Sequence, residues 1–243
     1  MNPAQSIEHA VVIGASGGIG RAFVEALAAR PDVRSVTALA RTPVRFDHPK
    51  VTTGALDLLD EDSIAAAAAA CAANPPRRVI CAAGILHEDG LQPEKSLREL
   101  DAERLARLLA VNAIGPALVI KHFVPLLPRT GRSVIAALSA RVGSIGDNRL
   151  GGWYSYRASK AALNQLIRTA SIELARSRRE AIVVGLHPGT VDTVLSAPFR
   201  GNVAPGKLFT PEFAAGCLLD VLDGLPASAS GRCYAWDGSE VPA

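Results

Sequence analysis

The sequence has few cysteines, no excess of one charge and no concentration of histidine. Its four cysteines lie far apart without a CxxC pair, which predicts neither a zinc site nor a disulfide framework. They are Cys71, Cys81, Cys217 and Cys233. The 26 basic and 23 acidic residues are spread along 243 positions, and the net charge of +3 is too small to indicate a nucleic-acid partner. The five histidines are scattered, so no metal site is expected.

Long apolar runs are also missing from the sequence. No apolar run approaches the roughly 18 residues of a membrane-spanning helix, and no basic-then-apolar leader precedes the first predicted strand. Unpaired thiols fit a reducing compartment. We therefore expect a cytoplasmic protein with no membrane partner.

What the sequence does contain is an alternation of short β-branched runs with longer helical patterns. This alternation predicts βαβ crossovers and therefore one doubly wound α/β domain of Rossmann type over residues 1–243, with a mostly parallel, seven-stranded sheet and helices on both faces. The predicted strands are Ala10–Ile13, Ser35–Leu39, Val51–Thr53, Val79–Ala82, Ser133–Leu138, Ile182–Leu186 and Arg232–Trp236. The predicted helices lie near Gly18–Ala29, Asp62–Ala73, Asp101–Leu127, Tyr156–Arg176 and Pro211–Leu222.

The first predicted strand leads into a glycine cluster, VVIGASGGIG, and then into a helix. Glycine inside regular structure costs about 0.5–1 kcal/mol relative to alanine, so the cluster needs a reason. One reason is a tight strand-to-helix turn; the other is a backbone that lies against a phosphate, which the N–H groups of the helix N-terminus attract. Because ligands of such sheets bind beyond the carboxyl ends of the strands, we favour the second. The predicted phosphate-binding residues are Gly14, Ser16, Gly17, Gly18, Ile19 and Gly20.

The segment YRASKAALN begins another predicted helix and places Tyr156 four residues before Lys160. This spacing brings both side chains to one face of the helix. A lysine ammonium beside a phenol is expected to lower the phenol pKa from about 10, which suits the tyrosine to general acid and base catalysis of a carbonyl–alcohol reaction. An incidental surface pair is the alternative. Asn112 lies inside a long predicted helix, a poor place for asparagine unless it has a function.

These motifs resemble the short-chain dehydrogenase/reductase family, and the resemblance spans nearly the whole chain. The segments GDNRLGGWYSYRASKAALNQ and GRCYAWDG are similar to its branch of C-factor-like proteins and sniffer-type carbonyl reductases. The resemblance implies an NADP-dependent oxidoreductase that interconverts a carbonyl compound and an alcohol. A second hypothesis is a dinucleotide-binding signalling or sensor protein of the same fold with little turnover.

The resemblance also implies roles for individual residues. Tyr156 and Lys160 would be catalytic and contact the cofactor, and Asn112 would hold a water that relays protons to the lysine. The further cofactor-binding residues that it implies are Asp57, Leu58, Ala82, Ala83, Gly84, Pro188, Gly189, Val191 and Thr193. For Asp57, a turn or helix-capping role is the alternative. In CAAG, Cys81 and Ala82 replace the two asparagines that the family usually has.

The clearest departure from the family pattern is at the catalytic serine. The family reads Ser-Ser-x-x-Gly at the end of strand five, and counting back from Gly143 puts Ala140 where the second serine belongs. Ser139 and Ser144 are the candidates to replace it, although strand neighbours point to opposite faces. Losing one oxyanion donor can cost about 10²–10³ in rate.

The residues after the second strand bear on the choice of cofactor. An NAD-binding protein usually has an acid here that accepts a hydrogen bond from the ribose 2′-hydroxyl. This chain has Ala40 followed by Arg41, and an arginine can bind a 2′-phosphate. We therefore expect NADP rather than NAD, with a solvated surface arginine as the alternative.

The segment of about residues 195–210 is predicted to cover the substrate as a lid. Its large groups are Phe199, Leu208 and Phe209, which favours an apolar carbonyl compound. The two longest helices carry more apolar positions than one sheet face needs, so a homodimer or homotetramer is expected.

Overall fold

The β-branched runs of the sequence form strands in the computed structural model, which describes residues 7–88 and 92–243. The predicted domain also includes residues 1–6 and 89–91, which lie outside the described residues. The strands are β1 (Ile7–Ile13), β2 (Val33–Ala40), β3 (Val51–Ala55), β4 (Arg78–Cys81), β5 (Ser133–Leu138), β6 (Ala181–His187), β7 (Thr190–Val191), β8 (Leu208–Phe209), β9 (Cys233–Ala235) and β10 (Glu240–Val241). All seven predicted strands overlap one of these.

The main sheet has the strand order β10-β9-β6-β5-β4-β1-β2-β3. Strands β1 to β6 and β9 are parallel, which confirms the doubly wound topology. The described sheet has eight strands rather than the predicted seven, because β10 adds an antiparallel edge with Glu240 opposite Tyr234. The chain reverses for this pairing at Gly238, whose φ of +81° favours glycine.

Helices cover both faces of the sheet, as predicted. They are α1 (Gly18–Ala29), α2 (Glu61–Ala70), α3 (Ala102–Leu109), α4 (Gly115–Phe123), α5 (Tyr154–Leu174) and α6 (Pro211–Gly224). Helices α1 and α6 pack on one face, where Phe23 and Leu218 are fully buried. Helices α2, α4 and α5 pack on the other, around Phe123 and Leu163. Two buried layers thus enclose the sheet, one on each face.

The single helix predicted over Asp101–Leu127 is interrupted. A π-helical turn over Ala110–Ile114 separates α3 from α4 and contains the buried Asn112. At the start of α4 a Cβ on Gly115 would lie 2.7 Å from the Cβ of Leu58, so the glycine permits a close approach. Such π turns are frequent at functional sites.

The stretch Ala102–Leu126 is long and apolar enough, by length and composition alone, to cross a membrane. Half of its most apolar window is buried inside the fold. Packing against α5 and β4 therefore accounts for many of its apolar residues.

The topology creates a crevice at the carboxyl edge of the sheet. Strand β1 lies between β2 and β4, and the chain crosses from the outer strand β3 to the central β4. Ligands of doubly wound sheets bind at such a switch point. Strands β7 and β8 form a separate two-stranded ribbon, and the predicted lid connects them. The segments predicted to bind the cofactor therefore surround one crevice.

Candidate active site

The glycine turn after β1 is built on close backbone contacts. Gly14 has φ +85°, and a Cβ there would lie 2.7 Å from the Ala83 nitrogen. A Cβ on Gly20 would lie 2.1 Å from the Gly14 oxygen. Gly17, in contrast, is exposed and caps α1 without a side-chain hydrogen bond. The tight turn thus explains two glycines, while Gly17 leaves the backbone at the helix N-terminus open to an anion.

Two segments far apart in sequence meet at this turn. A Cβ on Gly18 would lie 2.9 Å from Thr193 Cγ2, so the structure brings these two predicted cofactor-binding residues together. Gly189, with φ +76°, turns the chain between β6 and β7. Pro188 precedes it, and the buried Val191 follows in β7. Ser16 is exposed at the same turn, and Ile19 packs partly against the core.

The end of β2 presents an exposed Arg41 beside a buried Ala40. Arg41 is close enough to Glu88 for its charge to favour ionisation there, although Arg107, which binds Glu88 at 2.8 Å, is the main reason that the Glu88 pKa is low. Arg41 therefore lies at the mouth of the crevice between the ends of β2 and β4.

Asp57 and Leu58 follow β3. One Asp57 oxygen accepts a hydrogen bond from the Leu59 backbone at 3.0 Å, as in a turn. Leu58 is buried against Gly115. The turn role that was the alternative for Asp57 is thus present, and its carboxylate remains only half-buried.

The segment after β4 runs directly over the predicted catalytic lysine. Ala82 donates a hydrogen bond to the Ile13 carbonyl at 2.8 Å and keeps the segment in line with β1. A Cβ on Gly84 would lie 3.1 Å from Asn112 Oδ1 and 3.5 Å from Lys160 Nζ. The absence of a side chain at residue 84 leaves room for a ligand above Lys160.

Asn112 connects this segment to α5. Its Oδ1 accepts a hydrogen bond from the Ile85 N–H at 2.8 Å, and its Nδ2 donates to the Ile85 carbonyl at 2.8 Å and to Ser159 Oγ at 3.1 Å. The π turn places this fully buried amide between two elements of the site. The water relay implied by the family resemblance stays a prediction.

Tyr156 and Lys160 lie on one face of α5, as the spacing predicts. Lys160 is buried, and its Nζ donates to the Leu138 carbonyl at 2.8 Å and lies 5.7 Å from the centroid of the Tyr156 ring. The expected lowering of the Tyr156 pKa is wrong for this structure: burial raises the pKa of Tyr156 to about 12. Burial also lowers the pKa of Lys160 to about 8. In both groups the largest cause of the shift is removal from water, which disfavours the charged form.

The two candidate serines use their hydroxyls elsewhere. Ser139 Oγ donates to Asn164 Oδ1 at 2.7 Å. Ser144 Oγ accepts from the Asp147 N–H at 3.0 Å and approaches the Ala243 carbonyl. Within the described residues neither forms a hydrogen bond with Tyr156, so the expectation that one of them replaces the missing serine receives no support from their contacts.

An aromatic wall that was not predicted from the sequence lies next to Tyr156. The Trp153 ring lies 6.2 Å from that of Tyr156 and 5.0 Å from that of Phe199 in the predicted lid. His87 lies 5.8 Å from Phe199, and its Nε2 is 3.1 Å from the Leu195 carbonyl. The position of Trp153, three residues before Tyr156, was the available signal. Two aromatic residues and a histidine thus connect Tyr156, the predicted catalytic tyrosine, to the lid segment.

The other large side chains of the lid segment lie apart from this wall. Phe209 packs on Trp236 at 4.6 Å and on Phe213 at 4.9 Å. Leu208 is 39% exposed. Of the three residues predicted to cover the substrate, the observed ring contacts connect only Phe199 to Tyr156, through Trp153.

Comparison of the chain with models of known protein families identifies its family. Residues 8–203 match the model of the short chain dehydrogenase family. The chain belongs to that family. It is therefore an NAD(P)-dependent oxidoreductase by descent, as the motifs predicted.

Two relatives of known name bear on the predicted branch and on the reaction class. C-signal of Myxococcus xanthus is 38% identical over 148 residues, which are 60% of this chain and 83% of that protein. Benzil reductase ((S)-benzoin forming) of Bacillus subtilis is 25% identical over 94% of this chain and 98% of its own length.

Solved structures agree with these similarities. The NADPH-bound carbonyl reductase from chicken fatty liver is 28% identical, with a TM-score of 0.85 and coverage of 98% of this chain and 99% of that one. Carbonyl reductase Sniffer of D. melanogaster has a TM-score of 0.83 at 23% identity, covering 98% and 100%. This second similarity shows the shared fold.

Proposed function

We propose that this short-chain dehydrogenase interconverts a small carbonyl compound and the corresponding primary or secondary alcohol with NADP. The observation that carries the proposal is the arrangement of Tyr156 and Lys160 on one face of α5, with Gly84 directly above the lysine. Both lie at the carboxyl edge of the sheet beside the glycine turn. The NADPH-bound chicken carbonyl reductase and benzil reductase support the reaction class.

The residues of the crevice fit a dinucleotide. The exposed N-terminus of α1 at Gly17 suits a pyrophosphate, and Gly84 leaves space over Lys160. Arg41 suits a 2′-phosphate, while the neighbouring Ala40 lacks the carboxylate that would repel it. When bound, NADPH would supply the hydride that adds to the carbonyl carbon.

The protein's own groups would supply the proton. With a pKa of about 12, the Tyr156 phenol is protonated at neutral pH and can donate its proton to the carbonyl oxygen as the hydride arrives. The Lys160 ammonium, present below a pKa of about 8, would stabilise the phenolate that is left. In alcohol oxidation the phenolate would take the proton back.

An apolar substrate matches the wall formed by Trp153 and Phe199. We also propose a cytoplasmic location, because unpaired thiols fit a reducing compartment. A homodimer or homotetramer is proposed because α5 exposes Leu166 and Ile172 and the π turn before α4 exposes Ile114. Light scattering tests the assembly, and a monomer at working concentration would contradict it.

The second candidate is a dinucleotide-binding signalling or sensor protein with little turnover. It is favoured by Ala140 at the serine position and by the engaged hydroxyls of Ser139 and Ser144. Purified protein, NADPH and a broad panel of aldehydes and ketones separate the two. NADPH oxidation that Tyr156→Phe abolishes supports the reductase; tight NADPH binding with no such oxidation on any carbonyl supports the sensor.

A further inference from the structure

Helix α5 begins in an unusual way. Trp153, the N-cap residue just before the helix, has φ +53° and forms no side-chain capping hydrogen bond. Gly151 and Gly152 before it have φ +62° and +64°, so three left-handed residues precede the helix. A bulky residue rarely adopts this conformation unless the surrounding structure holds it there.

The residue that holds it is Glu94, which lies far away in sequence and is 2% exposed. Its backbone carbonyl accepts a hydrogen bond from the Trp153 N–H at 2.5 Å. Its carboxylate accepts from the Ser155 N–H at 3.2 Å and from the Ser155 hydroxyl. Glu94 therefore provides, from another part of the chain, the cap that α5 lacks, and its negative charge suits a helix N-terminus.

The hydrogen bonds to the Glu94 carboxylate come from Ser155, the residue directly before Tyr156. Glu94, Ser155 and Tyr156 line one small crevice together with Arg104 of α3. Within the described residues, the other charged groups here are Arg104, which lines this crevice, and Lys160, which lies beside the Tyr156 ring. Because the Trp153 ring lies 6.2 Å from that of Tyr156, the same contacts orient the tyrosine and the aromatic wall beside it.

We propose that Glu94 is a positioning residue for catalysis: it fixes the start of α5 and thereby sets the place of Tyr156 and Trp153 against the substrate. The proposal rests on the proposed function, because it assigns Glu94 an effect through Tyr156. A cap that only stabilised the protein would lower its melting temperature and leave the turnover of folded protein unchanged. The two roles therefore differ in a measurable way.

The test compares Glu94→Ala, Glu94→Gln and Ser155→Ala with the unmodified protein. We expect Glu94→Ala to lower kcat by about 10- to 100-fold, the size of effect that a misplaced catalytic group produces. The Kd for NADPH, measured by fluorescence, should stay within about twofold, because Glu94 forms none of the contacts of the glycine turn. Glu94→Gln should recover part of kcat, since its amide oxygen still accepts a hydrogen bond.

Asp101→Ala is the matched control. Asp101 caps α3 through the Arg104 N–H at 2.9 Å, so its loss removes one cap from a helix packed against α5. We expect this variant to lose thermal stability and keep kcat within about twofold. If folded Glu94→Ala keeps kcat within about twofold, the proposal is overturned whatever its stability. If Glu94→Ala fails to fold, Ser155→Ala, which removes one hydrogen bond to the Glu94 carboxylate, decides by the same criterion.

A readout without turnover separates this proposal from the proposed function. Fluorine NMR of fluorotyrosine-labelled protein gives signals for the three tyrosines, and Tyr156→Phe assigns the one of interest. We expect Glu94→Ala to shift or broaden the Tyr156 signal, and Asp101→Ala to leave it in place. If no carbonyl is reduced, a shift still supports positioning while the proposed function fails; an unchanged signal overturns the positioning role.

Discussion

Lys160 Nζ donates its 2.8 Å hydrogen bond to the backbone carbonyl of Leu138, at the end of β5, and not to the Tyr156 hydroxyl. This contact with the sheet holds the Lys160 nitrogen 5.7 Å from the centroid of the Tyr156 ring. Because burial lowers the pKa of Lys160 to about 8, the charge of this group changes within an accessible pH range.

The first prediction concerns the pH dependence of carbonyl reduction. As pH rises through about 8, Lys160 of the free enzyme loses its proton and can no longer stabilise the Tyr156 phenolate. Tyr156 keeps its own proton up to about pH 12, so the lysine determines the decline. We expect kcat/KM to fall about tenfold per pH unit above pH 8, measured in initial rates from pH 6 to pH 10. A profile that is flat across this range would contradict the role of the ammonium.

The second prediction concerns Tyr156→Phe. Removing the phenolic hydroxyl removes the proton donor and keeps the ring that packs near Trp153. Turnover should fall by about 10²–10⁴, the usual size of general acid catalysis, with little change in NADPH affinity. Tyr154→Phe is the control, because this exposed tyrosine begins the same helix. Near-normal turnover in Tyr156→Phe would remove the tyrosine from the mechanism.

Much of the fold was predictable because its signals are local. Alternating β-branched and helical patterns located the strands, and the four-residue spacing put Tyr156 and Lys160 on one face. The direction of the Tyr156 pKa was not predictable, since it depends on how much water the complete fold excludes. The cap from Glu94 was missed for a similar reason: it joins residues 61 positions apart, and no short motif records such a contact.

The third prediction concerns the lid. His87 Nε2 donates to the Leu195 carbonyl while its ring lies against Phe199. His87→Phe keeps an aromatic ring and loses the hydrogen bond, worth about 0.5–1.5 kcal/mol, so the KM for the carbonyl substrate should rise about 2- to 10-fold with kcat little changed. Limited proteolysis should cut the lid segment faster. His48→Phe, in the loop after β2, is the control; equal KM values in both variants would show that His87 does not hold the lid.

The fourth prediction concerns a buried charge at the opposite edge of the sheet. Arg78 is 1% exposed and forms a 2.5 Å ion pair with Asp223, while its Nε and Nη1 have no hydrogen-bond partner within the described residues. Asp223→Ala would leave this charge buried and should lower the free energy of unfolding by about 3 kcal/mol. Urea denaturation measures the loss, and adding Arg78→Met should recover most of it. A double variant no more stable than Asp223→Ala would contradict this account.

The ion pair between Arg78 and Asp223 also makes the free energy of unfolding depend on pH in acid. Burial opposes ionisation of Asp223, but Arg78 and Arg30 outweigh it and hold the Asp223 pKa below its ordinary value of 3.8. The stabilisation is therefore present above about pH 4 and is lost as pH falls through the lowered pKa. The difference in unfolding free energy between the unmodified protein and Asp223→Ala should shrink accordingly in acid.

The last prediction concerns Arg41 and the choice of cofactor. If the exposed guanidinium binds the 2′-phosphate, NADPH should bind more tightly than NADH by about 1.5–3 kcal/mol, or roughly 10–150-fold. Arg41→Ala should erase most of this difference and leave NADH affinity nearly unchanged. Arg45→Ala is the control, because it removes a basic residue from the same loop. This variant should still bind NADPH more tightly than NADH.

Two further observations bear on Arg41. The glycine turn has no basic residue before Arg21, so a second cation is missing from the phosphate site and the preference is expected at the low end of the range. Added salt should reduce it further, because the contact lies at a solvent-facing rim. Ala40→Asp should reverse it, since a carboxylate at the end of β2 repels the phosphate and accepts from the ribose hydroxyl of NADH. Equal affinity of the unmodified protein for NADPH and NADH at low salt would make Arg41 a surface residue and the assignment of NADP wrong.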